Sequence, residues 1–101
     1  MSLPLSGLKV LAFEQYGAGP FGTQYLADMG AEVIKIEPAG TSGDYLRDIG
    51  PYFIDGDNRN SASSIFFQAL NRNKKSMTLD VLSDEGKIIL KKLVESADAV
   101  C

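Results

Sequence analysis

A chain of 101 residues, 45% hydrophobic and 23% charged, has the length and balance of one small globular domain at most. Its net charge of −3 argues against a nucleic-acid partner or an anionic membrane surface, and no apolar run approaches the ~20 residues of a bilayer span. The single cysteine and the absence of histidine exclude an internal disulfide, a Cys/His zinc site and a histidine-based triad within these residues.

The N-terminus lacks the basic stretch and long apolar core of a secretory signal, so the expected location is the cytoplasm. Met1-Ser2-Leu3 carries no pattern and is set aside from fold reasoning. Leu8 to Phe13 is a short apolar run of the kind found in buried parallel strands and is expected to be the first strand. Beyond a loop at Glu14 to Gly19, the residues Phe21, Tyr25, Leu26 and Met29 recur at helical spacing. Pro20 suits the first helical position and Gly30 the left-handed residue after the end, which predicts a helix over 20–29. Ala31 to Glu37 reads as a second strand, with Val33, Ile34 and Ile36 bracketed by charges. A right-handed crossover and a parallel pair follow.

From Pro38 to Ser64 the chain is rich in breakers and acids, including Gly40, Gly43, Gly50, Pro51, Gly56, Asp44, Asp48, Asp55 and Asp57. An excursion of this length inside a small domain points to a functional loop or a surface insertion. Ile65 to Leu70 has room for one or two helical turns, and Met77 to Val81 alternates as a third strand would. The last helix is the clearest element. Ser83 is its N-cap, Asp84 and Glu85 complement the dipole in its first turn, and Ile89, Leu90, Leu93, Val94 and Ala97 form the expected buried stripe. The chain then stops at Cys101, just after Ala99-Val100, where another strand would be starting. That ending is what a segment of a longer chain would show.

Gly17-Ala18-Gly19-Pro20-Phe21-Gly22 spells G-x-G-x-x-G between a strand and a helix, and Glu37 lies 20 residues beyond Gly17. Such a pattern can cradle a dinucleotide pyrophosphate at the helix N-terminus, with the acid on a ribose hydroxyl. Here Glu14, Gln15 and Tyr16 separate the strand from the first glycine, and Pro20 stiffens the stretch that would wrap the phosphate. An NAD- or FAD-binding oxidoreductase domain therefore stands as an alternative reading, as does a non-catalytic interaction module on the same half-domain. Tyr16, an aromatic between a strand and a helix N-terminus, is placed to wall a ligand pocket at the carboxyl edge of a parallel sheet.

Taken together, Pro4-Leu5-Ser6-Gly7-Leu8-Lys9-Val10-Leu11, Ala18-Gly19-Pro20-Phe21, Leu26 through Glu37, Asn71-Arg72-Asn73-Lys74-Lys75-Ser76 and Leu79-Asp80 resemble the N-terminal end of family III CoA-transferases. That family includes formyl-CoA transferase, carnitine CoA-transferase and α-methylacyl-CoA racemase. The likeness runs in order along nearly the whole chain, apart from the glycine-rich stretch between about 41 and 64. The Asn-x-Asn-Lys-x-Ser form at 71–76 is similar to the transferase branch, whereas racemases tend to carry a Gly-Lys version.

The resemblance implies an α/β fold with a Rossmann-like parallel sheet, residues 1–101 being the N-terminal portion of a CoA-binding large domain. It implies a homodimer of interlocked subunits, and acyl-CoA and carboxylic acid substrates exchanging CoA through an aspartyl anhydride and an aspartyl-CoA thioester. The aspartate would lie downstream of Cys101, so no catalytic residue is expected here, and no metal. Carried over by position, the CoA contacts fall on Tyr16, Gly17 and Ala18 for the pantetheine arm, on Pro38 for the phosphate-bearing end, and on Leu79, Asp80, Val81 and Leu82 for adenine. Two departures stand out. Gly17 replaces the glutamine of formyl-CoA transferase, and Pro38 replaces an arginine found in several members, leaving Arg72, Lys74 or Lys75 to supply the missing charge.

Overall fold

The computed structural model describes residues 2–54 and 64–101. Four parallel strands, β1 (Lys9–Ala12), β2 (Glu32–Glu37), β3 (Lys75–Thr78) and β4 (Ala99–Val100), form one sheet in the order β3-β2-β1-β4. Helices α1 (Ala18–Asp28), α2 (Ile65–Asn71) and α3 (Asp84–Ser96) connect them, with a 3-10 turn at Tyr45–Asp48. The expected α/β architecture and the parallel β1-β2 pair are both present, in the register Val10 opposite Val33 and Leu11 opposite Ile34.

Alternation along the strands sorts the side chains. Val10, Ala12 and Val33 meet Ala27 of α1 and Ala31 in one core cluster. The same face of β2 continues through Lys35 and Glu37, which are 1% and 3% exposed, so two charged residues occupy inward positions. Gly30 takes the left-handed conformation expected of it, at φ 104°, and lets the chain turn from α1 into β2.

Several boundaries differ from the sequence reading. Helix α1 begins at Ala18, which puts Pro20 in its third position; the missing N–H is still among the donors that a first turn leaves unpaired. The third strand covers Lys75–Thr78 rather than 77–81. As an edge strand it needs no apolar run, and its register is set by β2, which pairs Ile34 with Lys75 and accepts the Leu79 N–H at the Glu37 carbonyl, 3.1 Å away. Leu3, set aside at first, packs against Gly30, where a Cβ would approach its own Cβ to 2.7 Å. On α3, Ser83 caps the Gly86 N–H as expected at 2.9 Å, but the apolar stripe is only half covered, Ile89 and Val94 being 41% and 44% exposed. Asp55, Gly56 and Asp57 of the breaker-rich stretch lie outside the described residues. Among those that are described, no helix is long and apolar enough to cross a membrane.

Candidate functional site

Parallel strands all end on one edge, and the loops leaving that edge enclose whatever the sheet binds. In this chain the carboxyl ends of β1, β2 and β3 frame an open cleft of about 310 Å³, lined by Phe13, Glu14, Gln15, Ile36, Glu37, Pro38, Leu79 and Val81. Phe13, Ile36, Leu79 and Val81 give it apolar walls, as expected of a site for a largely organic ligand. A smaller cleft of about 150 Å³ lies on the other side of Glu37, among Thr41, Ser42, Gly43, Arg47, Ser76 and Thr78.

The loop from β1 to α1 forms one rim. Tyr16 holds a left-handed backbone at φ 68°, unusual for a bulky side chain. Its N–H donates to Asp44 Oδ1 at 3.2 Å, and its half-exposed ring stacks on Tyr45 with centroids 5.3 Å apart and planes 12° from parallel. Gly17 then caps α1 without a side-chain hydrogen bond, so no side chain of the cap satisfies the helix's first N–H groups. Gly19 has a purely local reason to be glycine, since a Cβ there would stand 2.9 Å from Glu14 Cβ. Gly22 faces open space. The three glycines of the G-x-G-x-x-G pattern therefore do not act as a set.

Beneath the rim lies a buried network of charges. Lys35 Nζ stands 2.7 Å from Asp44 Oδ2 as an ion pair and donates to Asn71 Oδ1 at 3.0 Å. Lys74 Nζ donates to Glu14 Oε2 and Asn71 Oδ1 at 3.0 Å each and to the Pro20 carbonyl at 2.9 Å. The other Glu14 oxygen accepts from Thr23. Glu37 is held by both donor arms of Arg47 at 2.8 and 2.7 Å, by the Asp44 N–H at 2.8 Å and by Ser76. Arg47 lies over the Phe67 ring, 3.9 Å from its centroid. Burial alone would raise the Glu37 pKa, but the hydrogen bonds from Arg47, Asp44 and Ser76 and the Arg47 charge outweigh it and hold the carboxyl at about 2. Burial is also the largest influence on Lys74, lowering its pKa against the opposing pull of Glu14. Three acids and three bases balance here, so the network fixes the loops without giving the cleft a net charge.

The residues singled out from sequence fall into two groups. Pro38, Leu79 and Val81 line the cleft, and Tyr16, Gly17 and Ala18 follow directly on its Gln15. Asp80 shapes the loop between them and α3: its Oδ1 accepts from Leu82 N at 3.1 Å, and its carbonyl accepts from Ser83 Oγ at 2.9 Å. Leu82 is 82% exposed. Arg72 and Lys75 lie toward the amino ends of the strands, away from the cleft. There Arg72 makes a two-armed pair with Asp28, and Lys75 pairs with Glu32 at 2.9 Å. Sequence reasoning passed over Glu14, Lys35 and Asp44. Period-2 alternation offered a signal for Lys35, which falls on the inward face between Val33 and Glu37. Asp44 lies in a loop, where no period exists.

A family model described as CoA-transferase family III matches residues 5–101. Among curated proteins, a succinate–glutarate CoA-transferase of Agrobacterium fabrum is 42% identical over 96% of this chain and 24% of its own length. A succinyl-CoA:mesaconate CoA-transferase of Haloarcula hispanica is 45% identical over 95% of this chain and 23% of its own. Among solved structures, a CAIB/BAIF family protein from Brucella suis superposes with a TM-score of 0.85 at 41% identity, covering 99% of this chain and 25% of that one. The chain thus spans about a quarter of the length of the relatives it matches.

Proposed function

The chain belongs to CoA-transferase family III, and on that premise we propose that it is the N-terminal portion of an enzyme that moves CoA from an acyl-CoA donor to a carboxylic acid acceptor. The observation that carries this reading is the cleft at the carboxyl edge of the sheet, with apolar walls from three strand ends and a rim from the Tyr16 loop. A pantetheine arm is long, thin and mostly uncharged, and suits an open passage between backbone groups and apolar walls. The Tyr16-Gly17-Ala18 backbone would border that arm, Pro38 the phosphate-bearing end, and Leu79 to Leu82 the adenine. Arg72 and Lys75, paired with carboxylates near the amino ends of the strands, would serve the phosphates only by leaving those partners and with the phosphates lying toward that end of the sheet and not beside Pro38. Lys74 is more deeply engaged still, being 2% exposed in the buried network.

The chemistry proposed is the one that the resemblance to the family implies. An aspartate carboxylate downstream of residue 101 attacks the donor thioester carbonyl, giving a mixed anhydride and expelling CoA thiolate. The thiolate then attacks the aspartyl carbonyl, releasing the donor acid and leaving an aspartyl-CoA thioester. The acceptor carboxylate attacks that carbonyl, again expelling thiolate and forming a second anhydride. Thiolate finally attacks the acceptor's carbonyl, which yields the new acyl-CoA and the free aspartate. Residues 1–101 would bind and orient the CoA throughout and would not turn over acyl-CoA on their own.

The relatives named above carry transferase names, which favours transfer over racemisation. Exposed apolar side chains on α3 and β4, among them Ile88 and Val100 at 59% and 53%, support burial against further chain or a second subunit, as in an interlocked homodimer. The full-length enzyme tests the reading: mixed with succinyl-CoA and a dicarboxylate such as glutarate or mesaconate, it should form the second acyl-CoA. Hydrolysis or epimerisation without exchange would contradict it.

A further inference from the structure

Asp44 has no exposed side-chain surface, although it sits in a polar loop. A cap for the 3-10 turn needs only its Oδ1, which accepts the Leu46 N–H at 2.9 Å, and an exposed Asp, Asn or Ser would do as much. Its other contacts reach further. The same oxygen accepts the Tyr16 N–H from the loop after β1, Oδ2 is paired with the buried Lys35, and its own N–H donates to Glu37 at the end of β2. Asp44 thus joins the two loops that border the cleft.

The contact with Tyr16 falls where the backbone most needs support. An aromatic residue at φ 68° is unfavourable unless its surroundings hold it there. The stack of Tyr16 on Tyr45, the residue next to Asp44, fixes the ring in the same way. Without the acceptor, Tyr16 would relax toward an ordinary conformation and move the Gly17-Ala18 backbone that follows.

We propose that Asp44 is a positioning residue for the coenzyme: by accepting the Tyr16 N–H it holds the Tyr16-Gly17-Ala18 backbone open for the pantetheine arm. The inference rests on the CoA reading above, and its test is arranged so that the two can fail separately. Two double variants of the full-length enzyme differ only in the acceptor. Lys35→Met with Asp44→Asn keeps an amide oxygen for the Tyr16 N–H, whereas Lys35→Met with Asp44→Ala removes it, and neither leaves half of the ion pair buried alone.

CoA itself is the probe, titrated by calorimetry. The Asn variant should bind within about twofold of wild type and the Ala variant about five- to tenfold more weakly, the range of one hydrogen bond. A role confined to stability would lower the melting temperature and leave the CoA affinity of the folded variants alike, and equal affinities overturn the proposal. If the Ala variant does not fold, amide exchange in wild type decides. A Tyr16 N–H protected despite its exposed ring, and more so with CoA bound, supports the proposal, whereas exchange at the solvent rate overturns it. Wild-type enzyme that binds no CoA defeats the functional reading instead, and the protection of the Tyr16 amide still reports whether Asp44 holds it.

Discussion

Lys35 and Asp44 meet as a buried ion pair, Nζ 2.7 Å from Oδ2, with side chains 1% and 0% exposed. Neither charge has water to fall back on; Lys35 also has Glu14 Oε2 at 3.8 Å, but removing Lys35 strands Asp44. Lys35→Met alone should destabilise the protein by about 3–5 kcal/mol, and adding Asp44→Asn should recover most of that loss. Chemical denaturation of the two variants checks this; a single variant as stable as wild type would show that the pair is solvated or dispensable.

Glu37 gives the pH dependence. Its folded pKa, about 2, lies below the 4.5 usual for a glutamate, so the stability it contributes is complete above about pH 4.5 and is lost as the pH falls toward 2. Denaturation midpoints should therefore decline between pH 5 and pH 2, and more gently in Glu37→Gln, which carries no charge to lose. The same slope in both proteins would assign the acid sensitivity to other carboxylates.

The glycines separate by what a methyl group would meet. Gly86→Ala would place Cβ 1.7 Å from the Asp80 carbonyl oxygen, which no rotamer relieves, so it should displace the Leu79–Leu82 loop from the start of α3 and cost several kcal/mol. Gly22→Ala meets open space within α1 and should be neutral or stabilising by about 0.5–1 kcal/mol. Thermal melts of the pair test the contrast, and a Gly86→Ala protein with a wild-type melt would refute this packing.

Much of this architecture is legible in the residues themselves. The apolar runs of β1 and β2, the Gly30 turn and the Ser83 cap are signals carried by the residue types of a short stretch, and they appear where expected. β3 is displaced because an edge strand takes its register from its partner and not from its own pattern. The same distinction divides the site. Tyr16 is conspicuous as a lone aromatic in a loop, and Pro38 and Leu79 follow strands, whereas Asp44 gains its role only when Lys35, 28-residue-distant Tyr16 and Glu37 converge on it. Arg72 and Lys75 look available for phosphate in sequence because nothing local shows Asp28 and Glu32 waiting beside them.

Gly17 has nothing within 4 Å of a built Cβ, so the fold has room for a side chain there. Gly17→Trp should leave the melting temperature nearly unchanged while obstructing the passage beside the Tyr16 loop, weakening CoA binding about tenfold or more. Unchanged CoA affinity in a folded Gly17→Trp enzyme would remove that position from the site.

The most direct test of the whole account is a pair of calorimetric titrations on the full-length protein, one with CoA and one with NAD. Three residues separate Phe13 from Gly17 and carry the glycines away from the sheet edge where a dinucleotide pyrophosphate would sit, while the cleft at that edge has the apolar walls that a pantetheine arm would need. The account predicts saturable binding of CoA and none of NAD. Saturable NAD binding with no CoA binding would contradict it.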